Sequence, residues 1–313
     1  MSNPNTILCI DWGTSSFRAA LVEIGSQKVT SSFQSDRGCK VVFQESLEKQ
    51  TDPFDFFTQE LQGLLRQHDL QQSDYEQIII SGMASSSIGM KELPYASLPF
   101  SMNGSGVLSE TMEVRGLGKI TLISGVADKE DIMRGEETQL LGLCDHLDLD
   151  NSTLIFPGTH SKHMKVRNGE LVGFKTYLTG ELFQLVSEQS ILNRSVMKST
   201  WSLDFKLPFS LGVDEALKEN LLNSLFRIRA RDILGKDNNS SQNYFYLSGL
   251  IIGNELRGLV SVNGKKIYAC DGKMKSLYQQ AVNQLGISDA TFLATEELAY
   301  SYINGQLSIL KHL

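Results

Sequence analysis

A short run of acidic, small and hydroxyl-bearing residues near the N-terminus has the composition of a phosphate-binding turn. Asp11 ends a continuous apolar stretch, and Gly13-Thr14-Ser15-Ser16 follows before alternating apolar residues resume. This pattern predicts a buried strand, a tight turn and a second strand. Backbone N–H groups at such a bend form an anion-binding nest, and a carboxylate at the end of the strand suits Mg²⁺ with its water ligands. A plain hairpin with a surface aspartate explains the same residues equally well.

The same arrangement occurs a second time in the middle of the chain. Within Thr153–Val166, an apolar strand leads into Gly158-Thr159-His160-Ser161, and a further strand follows. Both copies reach a turn signal at a similar distance, Gly25-Ser26 in the first and Asn168-Gly169 in the second. Two related halves, each with a phosphate-type turn, predict a bilobal protein that binds a nucleotide between its lobes.

Two adjacent acids lie at the start of a helix predicted within Ile132–Leu143. Near a helix N-terminus, the anionic form of Glu136 or Glu137 is stabilised by the helix dipole. Adjacent helical residues diverge by about 100°, so only one of the two side chains can face a given site. Helix capping by acids accounts for one of the pair without any catalytic role.

Composition and charge narrow the class of protein. The 313 residues suffice for two domains of ordinary size, and an apolar content of 41% supports real cores. A net charge of −7 argues against binding nucleic acid or an anionic membrane through a bulk basic surface. The four cysteines are widely spaced, which is typical of reduced thiols. No signal peptide or membrane-spanning stretch is evident, so we expect a cytoplasmic protein.

The elements that must position these residues follow an RNase H-like order. Strands are predicted over 6–13, 17–24, 28–35 and 77–81. Before the last strand, Asp52 and Pro53 predict the start of a helix. Three strands, a helix and a strand make an RNase H-like lobe, in which helices pack on a mixed sheet. The serine-rich segment over 81–102 is either a connector or a loop that binds a polyhydroxylated ligand.

The second half contains further small-residue signals. Gly249 lies one helical turn from Gly253, a spacing that permits close helix contact or close approach to a ligand. Asp271-Gly272 follows a predicted strand and forms a turn that suits a nucleotide base. The stretch 296–313 predicts a terminal helix with an interruption at Asn304-Gly305.

The chain lacks the P-loop, the Gly-x-Gly-x-x-Gly fingerprint, the His-Glu-x-x-His motif and the Gly-x-Ser-x-Gly motif. Residues 10–18 instead resemble the first phosphate motif of the sugar kinase/Hsp70/actin superfamily. Over residues 6–300, the sequence is similar to the 2-dehydro-3-deoxygalactonokinase family. Four blocks carry this resemblance: Asp11-Trp-Gly-Thr14; Gly82-Met83 through Gly89 with Pro94-Tyr95 and Pro99; Met133-Arg-Gly-Glu-Glu-Thr-Gln139; and Pro157-Gly-Thr-His-Ser-Lys162 with Thr179-Gly-Glu181.

The resemblance implies an actin-like ATPase fold: two RNase H-like lobes with mixed sheets flanked by helices and a nucleotide cleft between them. The lobes would be 1–118, with the sugar-binding loop, and 119–313, which binds the nucleotide and whose terminal helix is expected to pack back on the first lobe. The implied reaction transfers the γ-phosphoryl group of ATP to the 6-hydroxyl of 2-dehydro-3-deoxy-D-galactonate in galactonate catabolism.

The resemblance also implies roles for individual residues. Glu136, six residues before Gly142, would be the base, with Glu137 as the alternative, and Asp11 would hold Mg²⁺. ATP would contact Asp11, Gly13, Thr14, Ser15, Gly158, Thr159, His160, Gly249, Asp271 and Gly272. The substrate carboxylate would pair with one of three unranked cations, Arg18, Arg134 and Lys162. Sugar hydroxyls would meet Ser85, Ser86 and Ser87.

Two other functions stay open at this point. The first is a kinase of the same fold that acts on another small sugar acid or polyol, since Met90 stands where an aromatic residue is common in the family. The second is an actin- or Hsp70-like ATP-dependent binding protein, which would need no carboxylate at an acceptor, so Glu136 counts against it. The acid Asp271 departs from the family's small nucleotide-binding turn. Expected partners are a sugar acid and ATP, with no nucleic acid or membrane, and a homodimer is compatible with the sequence.

Overall fold

The computed structural model describes residues 5–144, 147–235 and 239–313. It divides into unit 1 (Met1–Leu149, Asn168–Gly173 and Ala299–Leu313) and unit 2 (Asp150–Arg167 and Phe174–Leu298). This division differs from the predicted boundary after residue 118. That position lies in a hairpin in which Ser109–Val114 pairs with Gly118–Ile123, so the residues on its two sides belong to one sheet.

The described residues form short strands and helices, which follow one another in groups along the chain. The strands are β1 (Thr6–Trp12), β2 (Phe17–Glu23), β3 (Val29–Ser35), β4 (Gln77–Gly82), β5 (Ala96–Ser97), β6 (Phe100–Ser101), β7 (Ser109–Val114), β8 (Gly118–Ile123), β9 (Val126–Ala127), β10 (Ile132–Met133), β11 (Ser152–Phe156), β12 (Ser161–Arg167), β13 (Glu170–Tyr177), β14 (Lys265–Tyr268) and β15 (Ala290–Phe292). The helices are α1 (Cys39–Glu48), α2 (Pro53–Gln67), α3 (Glu136–Cys144), α4 (Thr179–Gln189), α5 (Lys206–Lys218), α6 (Leu221–Ile233), α7 (Ser240–Leu256), α8 (Gly272–Leu285), α9 (Thr295–Ala299) and α10 (Ser301–Leu310). Within the described ranges, no helix has both the length and the apolarity needed to span a membrane.

The main sheet of unit 1 has the strand order β3-β2-β1-β4-β8-β7. Strand β1 pairs antiparallel with β2 and parallel with β4, which in turn pairs parallel with β8. The four predicted strands of this unit are confirmed. Helix α2 also begins as predicted, because Oδ1 of Asp52 accepts hydrogen bonds from the N–H groups of Phe54 and Asp55 at 2.9 and 3.4 Å.

Four strands of unit 2 and the part of β13 that lies in this unit, residues 174–177, repeat the strand order of unit 1. Their order is β13-β12-β11-β14-β15, with β11 antiparallel to β12 and parallel to β14. The matching positions of the unit 1 sheet hold its third, second, first, fourth and sixth strands in chain order, and its fifth strand, β7, lies at the edge beside β8. The repeat inferred from the two Gly-Thr turns is therefore a repeat of the whole sheet arrangement.

The core of unit 2 lies around α7, which is buried on most of its surface. Close contact with α5 depends on glycine: a Cβ atom at Gly249 would lie 2.0 Å from the carbonyl oxygen of Phe209. Likewise, a Cβ atom at Gly212 would lie 2.1 Å from the carbonyl oxygen of Tyr246. Helix packing thus accounts for Gly249, while the ATP contact at this residue stays a prediction.

The terminal helix α10 packs against α3 within unit 1. A Cβ atom at Gly305 would lie 1.8 Å from the carbonyl oxygen of Thr138, so only glycine fits there. The interruption predicted at Asn304-Gly305 is wrong, because α10 continues through both residues. The helical stretch breaks at Tyr300 instead, between α9 and α10.

The α3–α10 contact predicts a large loss of stability for Gly305→Ala. The added methyl group would push two helix backbones apart, and such overpacking costs about 1–3 kcal/mol or more. Gly63→Ala is the matched control, since Gly63 is also helical and has no atom within 4 Å of the added Cβ. We expect the control to raise the free energy of unfolding by about 0.5–1 kcal/mol in urea titrations. Equal stabilities of the two variants would contradict this packing.

Candidate active site

The turn between β1 and β2 is held by the start of α1. Its Gly13 N–H group donates to the carbonyl oxygen of Ser16 at 2.8 Å, while the carbonyl groups of Gly13 and Thr14 accept from the N–H groups of Cys39 and Lys40 at 2.9 and 3.1 Å. Thr14 and Ser15 are exposed. Their own N–H groups have no acceptor within the described residues, so this turn presents donors suited to an anion.

The turn between β11 and β12 has the same construction. Its Gly158 and Thr159 carbonyl groups accept from the N–H groups of Gly180 and Glu181, the second and third residues of α4, at 3.2 and 3.1 Å. A Cβ atom at Gly180 would lie 2.6 Å from the carbonyl oxygen of Gly158. His160 is exposed and hydrogen-bonds to the Glu181 carboxylate. Both predicted phosphate turns therefore have matching backbone geometry.

Asp11 is buried at the end of β1, and its two carboxylate oxygens have different surroundings. Oδ2 accepts from Nε of Arg18 at 3.1 Å and also from Nη2. Oδ1 lies beside two glycines: added Cβ atoms at Gly82 and Gly135 would lie 3.0 and 3.9 Å from it. Arg18 therefore serves as the counter-ion of Asp11, and its guanidinium also stacks over Tyr302. This pairing disfavours the predicted contact between Arg18 and a substrate carboxylate.

The residues around Asp11 fit a magnesium ion. Within the described ranges there is no group of three or more His, Cys, Asp or Glu side chains arranged to hold a metal, so the site would rely on few protein ligands, Asp11 among them. Mg²⁺ commonly uses one or two carboxylates and completes its octahedron with water and phosphate oxygens. Glycine at 82 and 135 keeps Cβ atoms away from Oδ1.

The two acids at the start of α3 differ sharply. Glu137 is 1% exposed, and both of its carboxylate oxygens accept from the N–H group of Gly135 at 2.9 and 2.8 Å. Burial, together with the charge of Glu136, raises the pKa of Glu137 to about 8. Glu136 is only partly buried, and its Oε2 accepts from the N–H group of Arg134 at 3.3 Å. Glu137 therefore caps the helix, while Glu136 is the more accessible acid.

The three predicted sugar-binding serines are not equivalent. Ser85 donates to the carbonyl oxygen of Ile123 at 2.6 Å, and Ser86 donates to that of Met83 at 2.7 Å. Both side chains are buried, whereas Ser87 is exposed. Ser85 and Ser86 thus hold the long segment in place, and Ser87 is the one whose hydroxyl is exposed.

The remaining two predicted cations are both buried. Lys162 is 4% exposed, and its Nζ donates to the carbonyl oxygen of His160 at 3.2 Å. Arg134 is 7% exposed, and it donates to Ser85 Oγ at 2.7 Å and to the carbonyl oxygen of Leu93 at 3.1 Å. Each therefore has partners inside its own unit.

Sequence reasoning missed a buried carboxylate in unit 2. Glu255 of α7 accepts hydrogen bonds from Thr179 Oγ1 at 2.5 Å, Tyr278 OH at 2.7 Å and His163 Nε2 at 3.0 Å. Thr179 is the first residue of α4, and the N–H group of the second residue, Gly180, donates to the carbonyl oxygen of Gly158. Glu255 thereby fixes the helix that holds the second turn. An acid within an otherwise apolar helical stretch was the available signal.

An apolar pocket of about 120 Å³ lies beside the N-terminus of α4 in unit 2. Its lining residues are Thr179, Gly180, Phe183, Ser248, Ile251, Ile252, Lys273, Met274 and Leu277. The predicted nucleotide residues Asp271 and Gly272 precede this lining and are exposed. Gly272 has a φ of 50°, which favours glycine at the start of α8.

The second turn makes Gly180→Ala a sensitive test of phosphate binding. The added methyl group would displace the Gly158 carbonyl, so we expect the KM for ATP to rise about tenfold or more, equivalent to about 1.4 kcal/mol. Gly258→Ala is the control in the same unit, because its Cβ would have no atom within 4 Å. Steady-state kinetics at varied ATP would measure both variants, and an unchanged KM in Gly180→Ala would argue against this turn as a phosphate site.

Two mixed sheets of matching strand order, each with a clamped Gly-Thr turn, define the actin-like ATPase fold, the class that includes sugar kinases. A family model described as 2-keto-3-deoxy-galactonokinase matches residues 11–301, and the chain belongs to this family. Kinases transfer a phosphoryl group, so family membership makes the chain a phosphotransferase.

Individual relatives agree with this family. A Rhizobium meliloti (strain 1021) protein named as a probable 2-dehydro-3-deoxygalactonokinase is 28% identical over 92% of this chain and 92% of its own length. The Escherichia coli (strain K12) 2-dehydro-3-deoxygalactonokinase is 30% identical over 69% of this chain and 73% of its own length. A crystal structure of a candidate 2-dehydro-3-deoxygalactonokinase from Sinorhizobium meliloti matches with a TM-score of 0.81 and 28% identity, covering 98% of this chain and 96% of that chain.

Proposed function

We propose that this chain transfers the γ-phosphoryl group of ATP to the 6-hydroxyl of 2-dehydro-3-deoxy-D-galactonate. One observation carries the proposal: Oδ1 of Asp11 lies beside Gly135, the residue directly before Glu136. A carboxylate of the first phosphate turn and a carboxylate suited to an acceptor hydroxyl thus occur together in unit 1. An ATP-dependent binding protein without a small acceptor would have no use for the second carboxylate.

The two Gly-Thr turns bind phosphate oxygens through their backbone. Thr14 and Ser15 in one turn, and Thr159 and His160 in the other, have N–H groups without an acceptor among the described residues. Phosphoryl transfer passes through a loose transition state, so the protein chiefly positions groups and neutralises charge. Bound at Oδ1 of Asp11, Mg²⁺ would supply charge neutralisation for the phosphates. Arg18 donates to Oδ2 of Asp11 and fixes the orientation of this carboxylate.

Glu136 orients the attacking 6-hydroxyl and accepts its proton. The side chain is partly exposed, so a substrate hydroxyl can reach it, and the N–H group of Arg134 fixes one of its oxygens. Glu137 stabilises the start of α3, because its carboxylate accepts a hydrogen bond from the N–H group of Gly135. Because Glu137 is 1% exposed, it does not meet the substrate directly.

The apolar pocket of unit 2 accommodates the nucleotide base. The pocket walls are apolar and include Phe183, Ile251 and Leu277. Thr179 and Gly180 also line the pocket, and the N–H group of Gly180 donates to the carbonyl oxygen of Gly158 in the second turn. A base bound here would place its phosphate chain near the N-terminus of α4, where the helix dipole favours negative charge.

A coupled ADP-release assay with Mg-ATP and 2-dehydro-3-deoxy-D-galactonate tests the proposal. We expect ADP release that depends on the sugar acid, with a product phosphorylated on the 6-hydroxyl as shown by phosphorus NMR. Related sugar acids and polyols serve as competing acceptors. Turnover with another acceptor but none with 2-dehydro-3-deoxy-D-galactonate would overturn the substrate, and ATP binding without turnover on any acceptor would overturn the kinase reaction.

A further inference from the structure

Arg134 is a buried cation without an acidic partner. Arg134 is 7% exposed, and within the described ranges its guanidinium forms no ion pair with a carboxylate. The Nε atom is buried and, in the same part of the chain, has no hydrogen-bond partner. The two terminal nitrogens donate only to neutral groups, the hydroxyl of Ser85 and the carbonyl of Leu93.

Such an arrangement is costly unless an anion completes it. Moving a charge out of water carries a free-energy penalty, and hydrogen bonds to neutral groups offset this penalty only in part. The Tyr95 ring lies 4.1 Å from the Arg134 guanidinium carbon and compensates some of the charge through a cation–π contact. Arginine offers five donors, of which two are used here, and its planar fork matches a carboxylate.

The other two cations considered for the substrate differ from Arg134 in this respect. Arg18 already pairs with Asp11, and Lys162 already has partners, including the His160 carbonyl. Arg134 also lies close to the two acids assigned to the reaction, Asp11 and Glu136. Its backbone N–H group donates to Glu136, and the next residue, Gly135, lies beside Asp11. A small acid whose hydroxyl reaches Glu136 would therefore have its charged end within reach of this guanidinium.

We propose that Arg134 binds the carboxylate of the acceptor and makes the enzyme selective for sugar acids over neutral sugars. The inference rests on the proposed kinase function. Nε and one terminal nitrogen donate two parallel hydrogen bonds to the carboxylate, while Ser85 and Tyr95 keep the guanidinium plane fixed. No bond is made or broken at Arg134, so its effect appears as discrimination between acceptors.

The test compares two acceptors in two enzymes. The acceptors are 2-dehydro-3-deoxy-D-galactonate and the neutral analogue in which a CH₂OH group replaces the carboxylate; both keep the 6-hydroxyl. The enzymes are the wild type and Arg134→Met. We expect the wild type to prefer the acid by at least about 100-fold in kcat/KM, and Arg134→Met to lose most of this preference by losing activity on the acid alone. Arg229→Met, at an arginine that pairs with Asp232, is the control and should keep the preference.

Several results would overturn the inference. An equal loss of activity on both acceptors in Arg134→Met would show that Arg134 only supports the fold, and an absence of preference in the wild type would remove charge recognition altogether. If Arg134→Met does not fold, Arg134→Lys takes its place, and it should show an intermediate preference because lysine keeps the charge without the fork. No turnover of the acid by the wild type would instead refute the proposed kinase function, and this inference with it.

Discussion

Glu136→Gln is expected to lower kcat by about 10²- to 10⁴-fold, the range typical of a lost general base. Glutamine keeps the size of the side chain and still accepts the hydrogen bond from the Arg134 N–H group, so the local backbone should not change. The KM for ATP should stay the same, because the proposed phosphate contacts are backbone N–H groups and do not include the Glu136 side chain. Steady-state kinetics with 2-dehydro-3-deoxy-D-galactonate would measure both constants.

Glu137→Gln is the matched control for the base. Its side chain is buried and bonded to Gly135, so the neutral amide should cap the helix as well and leave kcat within about threefold of the wild type. A collapse of kcat in Glu137→Gln together with near-normal turnover in Glu136→Gln would transfer the role of base to Glu137.

The second large effect is a loss of folding stability as the pH rises from about 4.5 to 8. The pKa of Glu137 is about 8 in the folded protein against 4.5 for an ordinary glutamate, because burial and the neighbouring Glu136 disfavour its charge. The folded state therefore holds this proton more tightly than the unfolded state between these pH values. Glu137 thus contributes stability that is fully present below pH 4.5 and is lost as pH rises through 8, on the order of 5 kcal/mol in total.

Urea unfolding of the wild type and Glu137→Gln at several pH values isolates this effect. The variant has no proton to lose at this position, so its stability relative to the wild type should rise from pH 5 to about pH 8 and level off above it. Glu136→Gln should lose less stability over this range than the wild type, since it removes the charge that helps to raise the Glu137 pKa. Parallel stability curves for the wild type and Glu137→Gln would contradict the raised pKa.

Local sequence signals determined the strands, the turns and the family. Strands β1 and β2 follow from apolar stretches that end in turn residues, and α2 follows from Asp52 and Pro53. The duplicated Gly-Thr turns predicted two related lobes, and the sheet order bears this out. Helix α1 escaped prediction because Gly38 provides no side-chain cap and only three of its ten residues are buried, which leaves a weak helical pattern.

Tertiary structure decided which of the candidate residues are available for chemistry. The sequence alone does not distinguish Arg18, Arg134 and Lys162. In the folded chain Arg18 pairs with Asp11, whereas Arg134 is buried and has no acidic partner among the residues that the structure describes. Glu136 and Glu137 are neighbours in sequence but differ in exposure and in hydrogen bonding.

The same holds for residues whose partners are remote in the chain. Gly249 contacts Phe209, and Glu255 accepts a hydrogen bond from His163, which is 92 residues away in the sequence. Sequence specifies side-chain types and local periodicity, and these determined the turns, the strands and the reacting groups. Charge pairing and burial arise from contacts between distant segments, so only the folded chain could assign a role to each of those groups.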